Sequence, residues 1–358
     1  MSDSIRILSI DGGGIRGIIP AMVIQALLGE LKAQDVFHII AGTSTGGIIA
    51  CGLAKPNPIS LQDIVDLYVK HGSEIFKKGL IDWSHYLRGP RYKPTALENY
   101  IASELGSTYL SEVKDVELLV PSYAIGLPKE KPPGNTCAAM FFRSWQARGL
   151  LLGENAQSDE YDFKLDSIAR ATSAAPTYFP PATIVNKAGQ SFTMIDGGVF
   201  ANNPTISAMV EAYHLYHSTN FMVVSIGTGS EPTRIDASAA PNWGDVFWAM
   251  PMMSIFQGGS AQTVSVETDE LLGDSHWRLD ISLTTQTPEG ETVNPDMDDA
   301  SPANISALID KAKQLIDAEH DRIEDLAKVL AEPKVNVQPK GRLPEKGMLV
   351  SRRTEGGA

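Results

Sequence analysis

Ten residues, Ile39-Ile40-Ala41-Gly42-Thr43-Ser44-Thr45-Gly46-Gly47-Ile48, constrain this chain more than any others. The apolar run Phe37 to Ala41 reads as a short buried strand, and Ile48 to Leu53 as the start of a helix. Between them lies Gly42-x-Ser44-x-Gly46, the spacing of a nucleophile elbow. A serine on so sharp a strand-to-helix turn takes a strained backbone conformation, and the residues around it crowd one another. Glycines two before and two after remove the Cβ atoms that would collide. The hydroxyl then projects from the turn, with a helix N-terminus behind it that favours developing negative charge. The competing reading is a tight βα turn without chemistry.

A second turn of the same kind precedes it. Ile5 to Ile10 alternates and is rich in β-branched residues, so it reads as the first strand. Asp11-Gly12-Gly13-Gly14-Ile15-Arg16-Gly17 follows at once, and Ile18 to Leu31 has helical spacing, with Pro20 in the first turn where a missing N–H is harmless. Such a loop can point several backbone N–H groups at one anion. Gly12-x-Gly14-x-x-Gly17 also satisfies the dinucleotide fingerprint, but that fingerprint wants an acidic residue ending the second strand. Asp35 precedes the strand Phe37 to Ala41, which runs instead into the serine turn. An oxyanion hole is therefore the better reading. A P-loop is excluded, because neither glycine-rich loop ends in Gly-Lys-Ser or Gly-Lys-Thr.

Composition narrows the classes. The 358 residues suffice for one large domain or two ordinary ones. A net charge of −13 argues against a nucleic-acid partner and against tight adsorption to an anionic bilayer. Cys51 and Cys137 are the only cysteines, too few for a metal cluster or a disulfide framework, so a reducing compartment is expected. Met1 to Arg6 lacks the basic and apolar regions of a signal peptide, and no uncharged apolar run is long enough to span a bilayer.

Further along, helices are expected over Leu61 to Phe76, Thr95 to Leu105, Leu165 to Ala175, Thr205 to Tyr216 and Ser260 to Leu272, with a last one from Ser301 to about Leu330. Strands are expected over Val116 to Ile125, Cys137 to Trp145, Phe192 to Ile195, Phe221 to Ile226 and Trp277 to Leu283. The loop Pro128 to Asn135 reads as exposed and mobile. The aromatic, basic stretch Leu80 to Lys93 reads as a lid or surface loop. The Met-rich aromatic stretch Trp243 to Gly259 could line an acyl channel, touch lipid, or lie in the core or a dimer seam. A domain over residues 1–331, its motifs within 5–229, with a loosely attached tail over 332–358, is the expected organisation.

A third glycine-rich turn, Asp196-Gly197-Gly198, closes the strand at Phe192 to Ile195. In an open α/β sheet the C-terminal ends of strands meet at one crevice. Backbone amides, an exposed serine and a carboxylate could converge there, which is the equipment of acyl transfer.

These three turns resemble the patatin-like phospholipase family. So do Ala171-Thr172-Ser173-Ala174-Ala175-Pro176-Thr177-Tyr178-Phe179 and Asn202-Asn203-Pro204. The resemblance implies a three-layer α/β fold with a central, mostly parallel sheet flanked by helices. It implies a serine acyl hydrolase of membrane phospholipids working through a serine–aspartate dyad, with no metal and no cofactor. Ser44 would be the nucleophile and Asp196 the base. The amides of Gly12, Gly13 and Gly14 would form the oxyanion hole, and Arg16 would hold that loop. A constitutive lipid acyl hydrolase and a lipid-binding protein without turnover remain as alternatives on the same fold. None of the seven histidines lies in the three turns, which suits a dyad. Met297-Asp298-Asp299-Ala300-Ser301-Pro302 resembles the C-terminal segment of bacterial members, including effectors of cyclic-oligonucleotide antiphage defence. That implies a cytoplasmic enzyme acting transiently at the inner membrane surface, activated by a cyclic dinucleotide, with a homo-oligomer open.

Overall fold

In the first strand, β1 (Ile5–Ile10), all six residues are buried in spite of its alternation, because helices cover both of its faces. Seven more strands follow in the computed structural model: β2 (Ile39–Gly42), β3 (Glu117–Gly126), β4 (Ala138–Arg143), β5 (Ala182–Val185), β6 (Ser191–Asp196), β7 (Phe221–Ile226) and β8 (His276–Leu279). The described residues are 4–77, 89–128, 137–153, 156–230, 238, 240–242, 244–287, 290 and 292–340. Most of the loop expected over Pro128 to Asn135, and most of the stretch Leu80 to Lys93, lie outside them.

The strands form one sheet in the order β5-β6-β3-β2-β1-β7-β8, with β4 paired to β3. The run β3-β2-β1-β7-β8 is parallel, and β4, β5 and β6 are attached antiparallel at one end. One face buries Leu8, Ile10 and Ile40 under α1 (Ile18–Leu28), α2 (Thr45–Ala54), α3 (Leu61–Ile75) and α4 (Thr95–Leu105). Further along the chain, α5 (Leu165–Thr172) adds to that layer. The other face buries Ile7, Ile39, Ala41 and Val223 under α6 (Thr205–Tyr216). This is the three-layer α/β arrangement that the sequence implied.

One detail of the sheet decides where the site forms. Leu119 pairs with both β2 and β4, and Ser122 to Ala124 pair with both β4 and β6. A strand has only two edges, so β2 and β6 share the same edge of β3 and approach each other end to end. Ala41 of β2 lies opposite Leu119, and Asp196 of β6 lies opposite Ser122. The intervening Pro121 is a residue that central strands reject, because it lacks the N–H of the ladder. Here it sits where neither β2 nor β6 reaches. Asp196 therefore does not arrive as the end of another parallel strand. It comes from the opposite direction.

Other differences have local causes. The helix expected from Leu165 to Ala175 ends at Thr172, and the Ala174 carbonyl beyond it accepts from the Asp196 N–H at 3.0 Å. A single helix, α7 (Asp245–Leu272), runs through Pro251 and joins two stretches read separately. The C-terminal helix breaks at Glu319 into α8 (Pro302–Ala318) and α9 (His320–Ala331), although buried positions continue through Ile323, Leu326 and Leu330. The short strand β5 was not expected at all. Residues 332–340 are not loosely attached. The Lys334 ammonium donates to the carbonyls of Gln34, Phe37 and Asp115, and His38 Nε2 meets the Val335 carbonyl at 2.9 Å. Residues 341–358 lie outside the described residues.

Candidate active site

β2 and α2 leave a turn so tight that a Cβ on Gly42 would lie 2.1 Å from the Gly46 carbonyl oxygen. A Cβ on Gly46 would lie 2.3 Å from the Ile10 carbonyl oxygen. Both glycines are therefore required, as the elbow reading supposed. Between them Ser44 takes φ 54° and ψ −122°, a strained conformation for a residue with a side chain. Its N–H donates to Thr172 Oγ1 at 2.9 Å, and the Thr172 hydroxyl donates to the Pro121 carbonyl at 2.7 Å. Thr172 thus bridges the strained turn to the gap in the ladder of β3.

Across that gap, Ser44 Oγ donates to Asp196 Oδ2 at 2.6 Å. The other carboxylate oxygen accepts from the Gly198 N–H at 2.7 Å. Asp196 is fully buried, and burial pushes its carboxyl up to about 7, against the opposing pull of the Ser44 and Gly198 hydrogen bonds. A carboxylate raised to that value can both take and return a proton near neutral pH. A Cβ on Gly197 would lie 2.3 Å from the Pro121 carbonyl oxygen, so the chain must pass β3 closely as it leaves β6.

The glycine loop stands on the other side of Ser44, and the structure corrects its expected membership. The Gly12 N–H donates to the Asn202 carbonyl at 3.0 Å, so it is not available as an oxyanion donor. Among the described residues no acceptor faces the Gly13 or Gly14 N–H, and both glycines line the same apolar cavity as Ser44. The carbonyls of the loop are turned elsewhere. Thr228 Oγ1 donates to the Gly12 carbonyl at 2.8 Å and Asn202 Nδ2 at 3.4 Å. The Gly13 carbonyl accepts from Arg16 Nε at 3.3 Å and from the Arg16 N–H at 3.2 Å. Asp11 is anchored by Arg278 Nη2 at 2.7 Å, and its buried carboxyl is raised to about 6.

The cavity at Ser44 is walled by Ile48, Leu67, Ile75, Phe76, Leu97 and Phe179, with no charged side chain lining it among the described residues. Beyond Tyr178, Gln257 and Met297 it adjoins a cavity of about 990 Å³ lined by Arg16, Asp280, Arg278 and Asp296 among others. Sequence reasoning did not assign Thr172, Thr228 or Asn202 a part in the site. Their partners lie 128, 216 and 190 residues away, so no local spacing could have marked them.

One other constellation looks like a serine triad. Ser225 Oγ lies 2.8 Å from His276 Nε2, and His276 Nδ1 lies 2.6 Å from Asp269 Oδ1. Ser225 is fully buried in β7 and lines neither cavity, and burial holds the His276 imidazole below its usual range. Among the described residues, no histidine hydrogen-bonds Ser44 or Asp196, and no group of acidic, His or Cys side chains could hold a metal ion. No helix among them is long and apolar enough to cross a membrane.

Comparison with known proteins supplies the family. The model of the patatin-like phospholipases matches residues 8–209. Patatin-like protein 1 of Arabidopsis thaliana is 30% identical over 342 residues, covering 85% of this chain and 77% of its own. Patatin-17 of Solanum cardiophyllum is 29% identical over 353 residues, covering 88% and 84%. Among solved structures, human GIVD cytosolic phospholipase A2 aligns over 92% of this chain and 60% of its own, at 9% identity and a TM-score of 0.45. The chain belongs to the patatin-like phospholipase family, a family of lipid-ester hydrolases.

Proposed function

We propose that the protein hydrolyses the carboxylic esters of membrane phospholipids through Ser44 and Asp196 alone. The observation that carries this reading is the 2.6 Å hydrogen bond from Ser44 Oγ to a buried carboxylate raised to about 7. As Oγ attacks the ester carbonyl carbon, its proton passes to Asp196 Oδ2. The carbonyl electron pair moves onto oxygen, where the Gly13 and Gly14 N–H groups stabilise it. Collapse breaks the bond to the leaving alkoxide, which takes the proton from Asp196. The lysophospholipid departs and the acyl group stays on Ser44. Water then attacks the acyl carbon, gives its proton to Asp196, and the fatty acid leaves as Oγ recovers that proton. The apolar walls beside Ser44 match the chemistry of an acyl chain, and the charged side chains of the larger cavity match that of a head group.

The finer proposal is that a cyclic dinucleotide switches this activity on at the inner face of the membrane, in defence against phage. It is supported by the resemblance of the C-terminal segment to bacterial effectors. In the aromatic, basic stretch Leu80 to Lys93, Arg91 is engaged by Asp298 at 3.2 Å and lies over the Tyr178 ring. One experiment tests both levels. Wild type and Ser44→Ala are assayed on vesicles of defined phospholipids, with and without a panel of cyclic dinucleotides. Fatty-acid release by wild type but not by Ser44→Ala is expected, rising at least tenfold with an activating nucleotide. Release by both proteins refutes the nucleophile. Equal release with and without every nucleotide refutes the switch and leaves a constitutive hydrolase.

A further inference from the structure

The loop beside Ser44 contains a peptide with an unusual liability. The Gly12–Gly13 unit lies between two residues without Cβ atoms, so no side chain of its own restrains the tilt of its plane. A trans peptide points its N–H opposite its C=O. A tilt that carries the Gly12 carbonyl off its partners therefore swings the Gly13 N–H off the oxyanion by the same angle.

Two contacts oppose that rotation. The Thr228 hydroxyl, on the turn after β7, donates to the Gly12 carbonyl at 2.8 Å, within the ordinary range of such a bond. Asn202 Nδ2 adds a longer contact at 3.4 Å to the same oxygen. Both side chains are buried. Thr228 also packs directly beneath the loop, since a Cβ on Gly13 would lie 2.2 Å from its Oγ1. The next peptide does not need this help, because the Gly13 carbonyl is held by Arg16 within the loop itself.

We infer that Thr228, seconded by Asn202, is the positioning residue that locks the Gly12–Gly13 peptide so that the Gly13 N–H faces the reacting carbonyl. This rests on the hydrolase reading above. Thr228 touches no reacting atom; it acts through the orientation of a backbone donor it does not itself contain. Loss of one oxyanion donor typically lowers turnover by about 10²–10³, and a misaimed donor lowers it less.

The test measures kcat and KM on a soluble short-chain ester, and inhibition by a trifluoromethyl ketone, whose adduct with the serine places an alkoxide in the hole. Thr228→Val keeps the shape beneath Gly13 and removes the donor. It is expected to lower kcat by about 10–100-fold with KM within twofold, and to weaken the ketone by the same factor. Thr228→Ser, which restores a hydroxyl, is expected to recover most of both. If Thr228→Val does not accumulate as folded protein, Thr228→Ala is compared with Thr228→Ser by the same ratios. A folded hydroxyl-free variant with kcat within twofold of wild type overturns the inference. So does a rise in KM at constant kcat, or a loss of thermal stability without selective loss of ketone affinity. Wild type that neither hydrolyses the ester nor binds the ketone, with the panel of cyclic dinucleotides as well as without it, overturns the hydrolase reading and this inference with it, and is told apart by needing no variant at all.

Discussion

Replacing Asp196 by asparagine should set activity and stability against each other, and pH should separate the two effects. The carboxyl is raised to about 7 in the folded protein from an ordinary 3.8, because burial disfavours its charge. The folded protein thus holds a proton that the unfolded chain has released by about pH 4. Stability drawn from that proton is present below pH 4 and is lost as pH rises through 7. Between pH 5 and pH 8 this group alone costs the wild type about 2–3 kcal/mol. The amide of Asp196→Asn is the same size, can accept from the Gly198 N–H, and has no charge to bury. The gap between the variant and wild type in unfolding free energy should therefore widen in the variant's favour by that amount over the same window. Catalysis runs the other way. Wild-type kcat/KM should fall about tenfold for each pH unit below 7, reaching about 1% of its plateau at pH 5, because the base must be ionised. The variant should have lost several orders of magnitude throughout. Denaturant titrations and pH–rate profiles on both proteins measure this. Stability curves that stay parallel from pH 5 to pH 8, or a variant within tenfold of wild-type turnover, would refute the reasoning.

Three further outcomes follow from contacts elsewhere. Ser225→Ala should keep full activity, and a fluorophosphonate should mark only the peptide containing Ser44. An adduct on Ser225 would contradict its burial. Gly42→Ala should destabilise the fold by about 3 kcal/mol or more, because the new Cβ would lie 2.1 Å from a backbone oxygen; a loss under about 1 kcal/mol by denaturant titration would show a looser turn. Lys334→Met should cost about 1–3 kcal/mol by leaving the carbonyls of Gln34, Phe37 and Asp115 without their donor. Hydrogen exchange in residues 332–340 should speed up in that variant, and unchanged protection would show that other contacts hold the segment.

Local chemistry made much of this legible. Three strand-to-turn junctions, each marked by glycine, located Ser44, Asp196 and the loop that flanks them. Glycine at 42 and 46 could be argued from sterics alone, and the structure supplies the two clashes. What was not legible depends on pairing over distance. The antiparallel approach of β6 follows from which residues of β3 it meets, and the pattern in Phe192 to Ile195 carries no direction. The removal of Gly12 from the oxyanion hole follows from the Asn202 carbonyl 190 residues on, which any residue type would provide. The end of α5 at Thr172 and the break at Glu319 fall in segments whose helical spacing continues unbroken, so spacing does not mark them.

The end-to-end meeting of β2 and β6 also orders events in time. Ser44 leaves the ribosome 152 residues ahead of Asp196. At about 5–20 residues per second, that is on the order of 10–30 s during which the proposed nucleophile exists without its proposed base. On that proposal a nascent chain in the interval cannot hydrolyse lipid, however long it lingers beside a membrane. Chains stalled before β6 should accordingly resist a fluorophosphonate that labels the released protein. Synthesis itself delays the chemistry until most of the fold is available to contain it.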